Sequence, residues 1–175
     1  MKFLIASDIH GSAKYCRQLL QAFERERADK LLLLGDILYH GPRNPLPDEY
    51  SPKDVAEMLG KIKTKIICVR GNCDSEVDQM VLPFPVLSDY ALVCADGLNL
   101  YLSHGHREVP PLQKGDVYLT GHTHVPLNKV EKEGYYHFNP GSVSLPKENS
   151  KRGYILYENR KFEFKTLDGK TYNVK

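Results

Sequence analysis

Apolar residues run almost unbroken through three segments, Met1 to Ser7, Lys30 to Leu34 and Lys65 to Val69. Short continuous runs of this kind predict strands buried on both faces. Between them the period changes. From about Ser12, the residues Cys16, Leu19, Leu20 and Phe23 recur at helical spacing and make one apolar stripe. A second helix opens at Ser51-Pro52-Lys53-Asp54, with a serine cap, proline at the first helical position and an acid at the third. Val55, Met58, Leu59 and Ile62 form its buried stripe. The stretch from Tyr39 to Pro52 holds four prolines and a glycine and reads as a surface loop.

Beyond residue 89 the pattern becomes one of strands. Tyr90 to Cys94 and Leu98 to Ser103 flank Ala95-Asp96-Gly97, a hairpin signal. Val117 to Thr120 and Tyr135 to Phe138 are further short strands, and Tyr154 to Tyr157 pairs with Lys161 to Lys165 across Glu158-Asn159-Arg160. Alternating strand and helix followed by strands alone predicts an α/β fold of two sheets packed face to face with helices outside. No repeat or linker interrupts residues 1–175, so one domain is expected.

Composition narrows the class. The chain is 41% hydrophobic and 26% charged, an ordinary globular balance. No stretch approaches the ~20 apolar residues a membrane span needs, and Ser7-Asp8 ends the first apolar run too early for a secretory signal. A formal charge of +2 gives no reason to expect a nucleic-acid partner. Of the four cysteines, Cys16, Cys68 and Cys94 sit inside apolar segments, so reduced, mostly buried thiols in a cytoplasmic protein are expected.

The chemistry lies at the strand ends, where open α/β sheets bind ligands. The first strand ends in Asp8-Ile9-His10-Gly11, the second in Gly35-Asp36 and the third in Gly71-Asn72-Cys73-Asp74. Later strands end in Ser103-His104-Gly105-His106 and Gly121-His122-Thr123-His124. Five of the seven histidines fall in these clusters. Oxygen and nitrogen donors of this kind suit divalent Mn, Fe or Zn, and no thiolate pattern calls for a structural zinc site. Each cluster alone is a common turn or cap; five in one short chain, each at the mouth of the sheets, are not.

This ordered set closely resembles the calcineurin-like metallophosphoesterase family, and within it the small bacterial YfcE-like phosphodiesterases. The resemblance runs through Asp8-x-His10, Gly35-Asp36, Gly71-Asn72, His104 and Gly121-His122-x-His124. It extends to the run Arg70 to Asp78, the loop His40-Gly41-Pro42-Arg43-Asn44, and Asn139-Pro140-Gly141-Ser142. It implies a four-layer αββα sandwich of two mixed β-sheets. It also implies two divalent metal ions, Mn²⁺ first with Fe, Zn or Ni also suited. Asp8, His10 and His124 would hold one ion and Asn72, His104 and His122 the other, with Asp36 bridging. The activity implied is hydrolysis of a small phosphodiester or other phosphate ester by a hydroxide bridging the two metals. A phosphomonoesterase or a non-catalytic scaffold on the same fold stands as the alternative, and a homo-oligomer is left open.

The chain departs from the family where many members carry histidine after the motif-three asparagine, a residue thought to protonate the leaving group. Here it is Cys73, a poor general acid near neutrality. His106 and Asp74 are candidates to fill that catalytic gap alongside Asn72, or else support the ligands from behind. His40 and Arg43 could hold the second substituent of a diester, or belong to a solvated loop. His137, alternating with Tyr136 and Phe138, is expected to be structural, and Ser142 to lie in a turn beneath the site.

Overall fold

The computed structural model describes residues 1–174. The first half runs β1 (Lys2–Ala6), α1 (Ala13–Glu26), β2 (Lys30–Leu33), α2 (Pro52–Gly60), β3 (Ile66–Cys68) and α3 (Glu76–Val81). The second runs β4 (Tyr90–Ala95), β5 (Leu98–Ser103), β6 (Val117–Leu119), β7 (Pro126–Val130), β8 (Tyr136–Pro140), β9 (Gly153–Glu158) and β10 (Lys161–Thr166). They form two five-stranded mixed sheets, ordered β10-β9-β1-β2-β3 and β4-β5-β6-β8-β7. This is the two-sheet α/β sandwich that the residue pattern predicts. No helix among the described residues is long and apolar enough to cross a membrane.

Continuous apolar strands make sense here because the first sheet is covered on both faces. Leu4, Ala6, Leu31, Leu33, Tyr154 and Leu156 face one core, where α1 packs Cys16, Leu19 and Phe23 and α2 packs Val55 and Leu59. The alternate residues Phe3, Ile5, Leu32, Leu34, Ile155 and Tyr157 face the second core, between the sheets, against Leu100, Leu102, Val117, Leu119 and Phe138. Strand β1 is thus buried by alternation on both sides, with β2 parallel beside it and β9 antiparallel on the other flank.

The β4–β5 and β9–β10 hairpins close through pairs of left-handed residues. Asp96 and Gly97 have φ of 49° and 74°, and Asn159 and Arg160 have 50° and 64°. Two positive φ values at the centre of a two-residue loop match the twist of the flanking strands.

Several sequence expectations need correction. Ser51 opens α2 without a side-chain cap bond, and the helix ends at Gly60, leaving Ile62 in the following turn. Cys94 is exposed, because β4 is an edge strand whose Tyr90, Leu92 and Cys94 point outward; all four thiols are free. Two elements have weak sequence signals. Helix α3 is only six residues long, and the Asp78 carboxylate accepts the Ser75 backbone N–H at 2.7 Å to start it. Strand β7 begins with Pro126, a residue tolerated there because β7 lies at a sheet edge.

The topology sets the site. Strands β1, β2 and β3 are parallel, as are β5 and β6, so their carboxyl ends open on common edges. The loops after them are tied together by backbone bonds: Asp8 N to Gly35 O at 3.1 Å, His10 N to Asp36 O at 2.9 Å and Gly121 N to His104 O at 3.0 Å.

Candidate metal centre

The chain leaves each of these strands by turning sharply. Asp8, His10, Asp36, His122 and His124 all hold left-handed backbones, with φ of 59°, 50°, 56°, 67° and 62°. Non-glycine residues seldom adopt this region, though Asp and His do so more than most. Such strain gathers at functional sites because surrounding structure must hold it in place. Glycines allow the close approach. A Cβ on Gly71 would overlap the Asp36 carboxylate, and one on Gly121 would overlap Ser7 Oγ.

The side chains so placed form two lobes. In one, Asp8 Oδ1 lies 3.5 Å from His10 Nε2 and 3.2 Å from His124 Nε2. In the other, Asn72 Oδ1 lies 3.1 Å from His104 Nε2 and 2.7 Å from His122 Nδ1. Asp36 Oδ2 stands between them, 3.6 Å from His10 Nε2 and 3.4 Å from His104 Nε2. The first lobe is fully buried, whereas Asn72 is exposed and His122 half-buried, so the second lobe opens to solvent.

Three imidazoles are oriented from behind. The Nδ1 atoms of His10, His104 and His124 lie 2.8, 2.6 and 2.6 Å from the carbonyl oxygens of Tyr39, Leu34 and Leu145. Donation of Nδ1–H to a carbonyl selects, in the neutral ring, the tautomer whose Nε2 lone pair faces inward, as metal-binding histidines require. His10 Nε2 and His124 Nε2 then face each other at 3.1 Å. Asp8 Oδ1, wholly buried, has no hydrogen-bond partner among the described residues. Converging lone pairs and an orphaned carboxylate oxygen fit a cation, and Asp8, His10 and His124, like Asp8, Asp36 and His104, present donor atoms close enough to share one.

The electrostatics agree. Burial opposes ionisation of Asp8, but His10, His124 and His104 hold its carboxyl well below the usual range. Asp36 is likewise lowered against its burial, chiefly by His104. His104 in turn is pushed up to about 9, where Asp36 and Asp8 outweigh burial.

Around this cluster the other candidates sort by geometry. Ser142 lies beneath the site, as expected: its Oγ donates to the Asp8 carbonyl at 2.8 Å, and Ser144 Oγ adds a second bond at 3.1 Å. Asn139 holds the opposite loop, its amide donating to Gly121 O at 2.6 Å. His137 pairs with Thr120 at 2.9 Å and Glu131 at 3.3 Å, away from the cluster. Arg43 lines a cleft of about 400 Å³ over the site with Asp36, Asn72, His122 and His124. Lys147 lines it too, a residue that sequence reasoning missed; its backbone N–H donates to His124 O at 3.2 Å.

Two candidates do not line the cleft. The His40 ring packs edge-on against Tyr39 and Tyr50, and its carbonyl accepts from Asn44 Nδ2 at 2.8 Å. Asp74 is not placed to give a proton to substrate. Its buried carboxylate accepts backbone N–H bonds from Asp36, Ile37 and Gly71 at 2.8, 2.9 and 2.7 Å, and burial has raised its pKa to about 6 against these bonds. It clamps the Asp36 turn. His106 packs on the His104 and His122 rings at 5.3 and 6.1 Å, and burial with the nearby His104 charge lowers its pKa, leaving it neutral and a weak acid at pH 7.

A two-sheet sandwich with an Asp, Asn and His cluster at its strand ends defines a metallophosphoesterase. Residues 1–161 match the calcineurin-like phosphoesterase superfamily domain, and the chain belongs to that superfamily. It is 46% identical over 163 residues to the phosphodiesterase YfcE of Escherichia coli K12, covering 91% of this chain and 88% of that protein. The solved structure of YfcE, described as a phosphoesterase from E. coli, superposes with a TM-score of 0.94 at 43% identity, covering 99% of this chain and 97% of that one. A more distant archaeal phosphodiesterase shares the fold, with a TM-score of 0.67 at 19% identity and coverage of 93% and 97%.

The Asp74 clamp has a direct consequence. Asp74→Asn keeps the shape but sets an amide donor against backbone donors, so it should destabilise the fold by about 1–3 kcal/mol and weaken metal uptake through the Asp36 turn. Urea unfolding together with Mn²⁺ titration checks both, and wild-type values in the two assays would remove the clamp.

Proposed function

We propose that this chain is a two-metal phosphodiesterase acting on small phosphodiesters. The observation that carries this reading is the Asp36 carboxylate, standing between two groups of inward-facing donors. In this reading Asp8, His10 and His124 hold one divalent ion, Asn72, His104 and His122 hold the other, and Asp36 is shared. The relative YfcE, itself named a phosphodiesterase, supports the substrate class. Oxygen and imidazole donors suit Mn²⁺, with Fe, Zn or Ni as substitutes. Four free thiols suit a reducing, cytoplasmic setting.

When bound, a pair of divalent ions supplies Lewis-acid stabilisation of the phosphoryl oxygens and lowers the pKa of attacking water. The protein does the rest. Carbonyls behind His10, His104 and His124 fix their rings before any ion arrives. Arg43 and Lys147 at the cleft draw in an anion and orient its oxygens. Asn72 and His122, on the open side, lie where substrate enters.

Proton supply to the leaving group is the weak point. Burial and the neighbouring Asp36 push the Cys73 thiol up to about 12, His106 is neutral near pH 7, and Asp74 is engaged by backbone. The chemistry therefore favours diesters, and esters whose alcohol leaves readily, over alkyl monoesters.

Three outcomes follow. Asp36→Asn and His122→Ala should each lower turnover by more than the ~10–100-fold that outer residues of a metal site contribute, with lost metal and an intact fold; retained turnover at unchanged metal content would contradict the assignment. Metal uptake should also depend on pH, because the His104 proton must leave before Nε2 can coordinate. Since the metal-free His104 pKa is about 9, affinity should climb by about tenfold per pH unit below that value and level off above it; a flat profile in Mn²⁺ titrations would remove His104 from the ligand set. Finally, a diester should be hydrolysed faster than a monoester bearing the same alkyl leaving group, and Cys73→His should narrow the gap. Equal rates in the wild-type protein would refute the preference.

A further inference from the structure

A second, larger cavity of about 830 Å³ adjoins the metal cluster, with walls from α2 and α3. Tyr39, Tyr50, Ala56, Cys73, Val77 and Val81 are among its lining residues, and its surface is predominantly apolar. Its size falls within the ~300–1,000 Å³ typical of small-molecule sites. It meets the candidate centre at Cys73, which lines the groove and touches the cluster. Tyr39, on one wall, holds His10 from behind, its carbonyl 2.8 Å from Nδ1. Cys73, at the other, donates its backbone N–H to Asp36 Oδ1 at 2.8 Å, and its sulfur accepts from Asn72 Nδ2 at 3.3 Å. A group bound at the cluster therefore has this groove one residue away.

We infer that the groove holds one organic substituent of the substrate, so that the chain selects phosphodiesters carrying a large apolar alcohol moiety. This rests on the phosphodiesterase reading above and deepens it. Val77 and Val81 stand 67% and 57% exposed along the groove, apolar surface that the chain itself leaves uncovered and a ligand would cover. The charged lining residues do not suit a second phosphate: Lys53 and Glu57 are of opposite sign, and Asp78 is engaged by Ser75 at 2.7 and 3.1 Å. An apolar alcohol matches these walls, and a polynucleotide does not. The cysteine at position 73 matters as well, for its side chain lines the groove and also touches Asn72 at the cluster.

The test uses phosphonates, which anchor through their oxygens and carry one organic group. Binding of methyl-, benzyl- and naphthylmethylphosphonate to the Mn²⁺-loaded protein is measured by calorimetry. Affinity should rise by about tenfold or more from the first to the last, as apolar area leaves water. That ratio should fall towards unity in Val81→Glu, which charges a wall at an exposed position, and in Ala56→Trp, which fills the groove. Methylphosphonate binding without any gain across the series would overturn the inference and leave the phosphodiesterase reading standing. A gain that survives in both variants would overturn it too, by placing the organic group elsewhere. A concentration-dependent dimer that Val81→Glu dissolves, with a flat phosphonate series, would give the groove to a second copy. If neither the phosphonates nor inorganic phosphate bind, the reading of the metal site fails and this inference fails with it.

Discussion

Two carboxylates, Asp8 and Asp36, are buried together at the meeting point of the two sheets, and the surrounding structure answers the problem they create. An ionised carboxylate out of water is strongly unfavourable unless charge and hydrogen bonds compensate it. Asp8 is fully buried, is held ionised, and keeps one oxygen without a hydrogen-bond partner among the described residues. Facing it are imidazoles whose own Nδ1 atoms are already committed to carbonyls. The arrangement is unfavourable as a neutral core and favourable around cations. Its ligand geometry is set before binding, which keeps the reorganisation needed on metal uptake small.

Holding that geometry requires backbone that would not persist alone. Five of the seven candidate ligands sit at φ between 50° and 67°, each carrying strain on the order of 1–3 kcal/mol. The support comes from layers behind. Parallel strands fix the loop origins, cross-loop amide bonds tie Asp8 to Gly35 and His10 to Asp36, and Ser142 and Ser144 grip the Asp8 carbonyl. Asp74 binds three amides across the turns of motifs two and three. The residues that look merely structural are the ones that make a left-handed ligand backbone tolerable.

This division explains how much was legible in the sequence. The alternation Phe3, Ile5 against Leu4, Ala6 is hidden inside a continuous apolar run, yet the run itself announces a strand buried twice. Polar clusters after such runs point to the sheet mouth because chain direction is a property of topology, and topology follows from strand–helix alternation. What sequence could not convey was direction of side chains within a loop. His40 lies four residues after Asp36, yet its ring turns to Tyr39 and Tyr50. Lys147 lies more than twenty residues after His124, yet reaches the cleft. Asp74, two residues after Asn72 in the chain, faces backward to N–H groups of Asp36, Ile37 and Gly71. Short elements were lost for a related reason. Six residues of α3 contain no buried position to set a period, and Pro126 disguises β7.

Position 73 brings these strands of argument together. An imidazole there would set a polar, titratable ring between the cluster and the α2–α3 groove. A thiol held neutral to about pH 12 contributes neither charge nor a transferable proton. Its backbone N–H serves Asp36, and its sulfur lies close enough to His10 and Asp36 to share a cation with them. One residue thus sets two properties at once. It offers no ready proton at that position, which shifts the demand for leaving-group stability onto the substrate, and it sets a thiol where the cluster meets the groove. Both favour esters whose organic parts are large, apolar and able to depart without help.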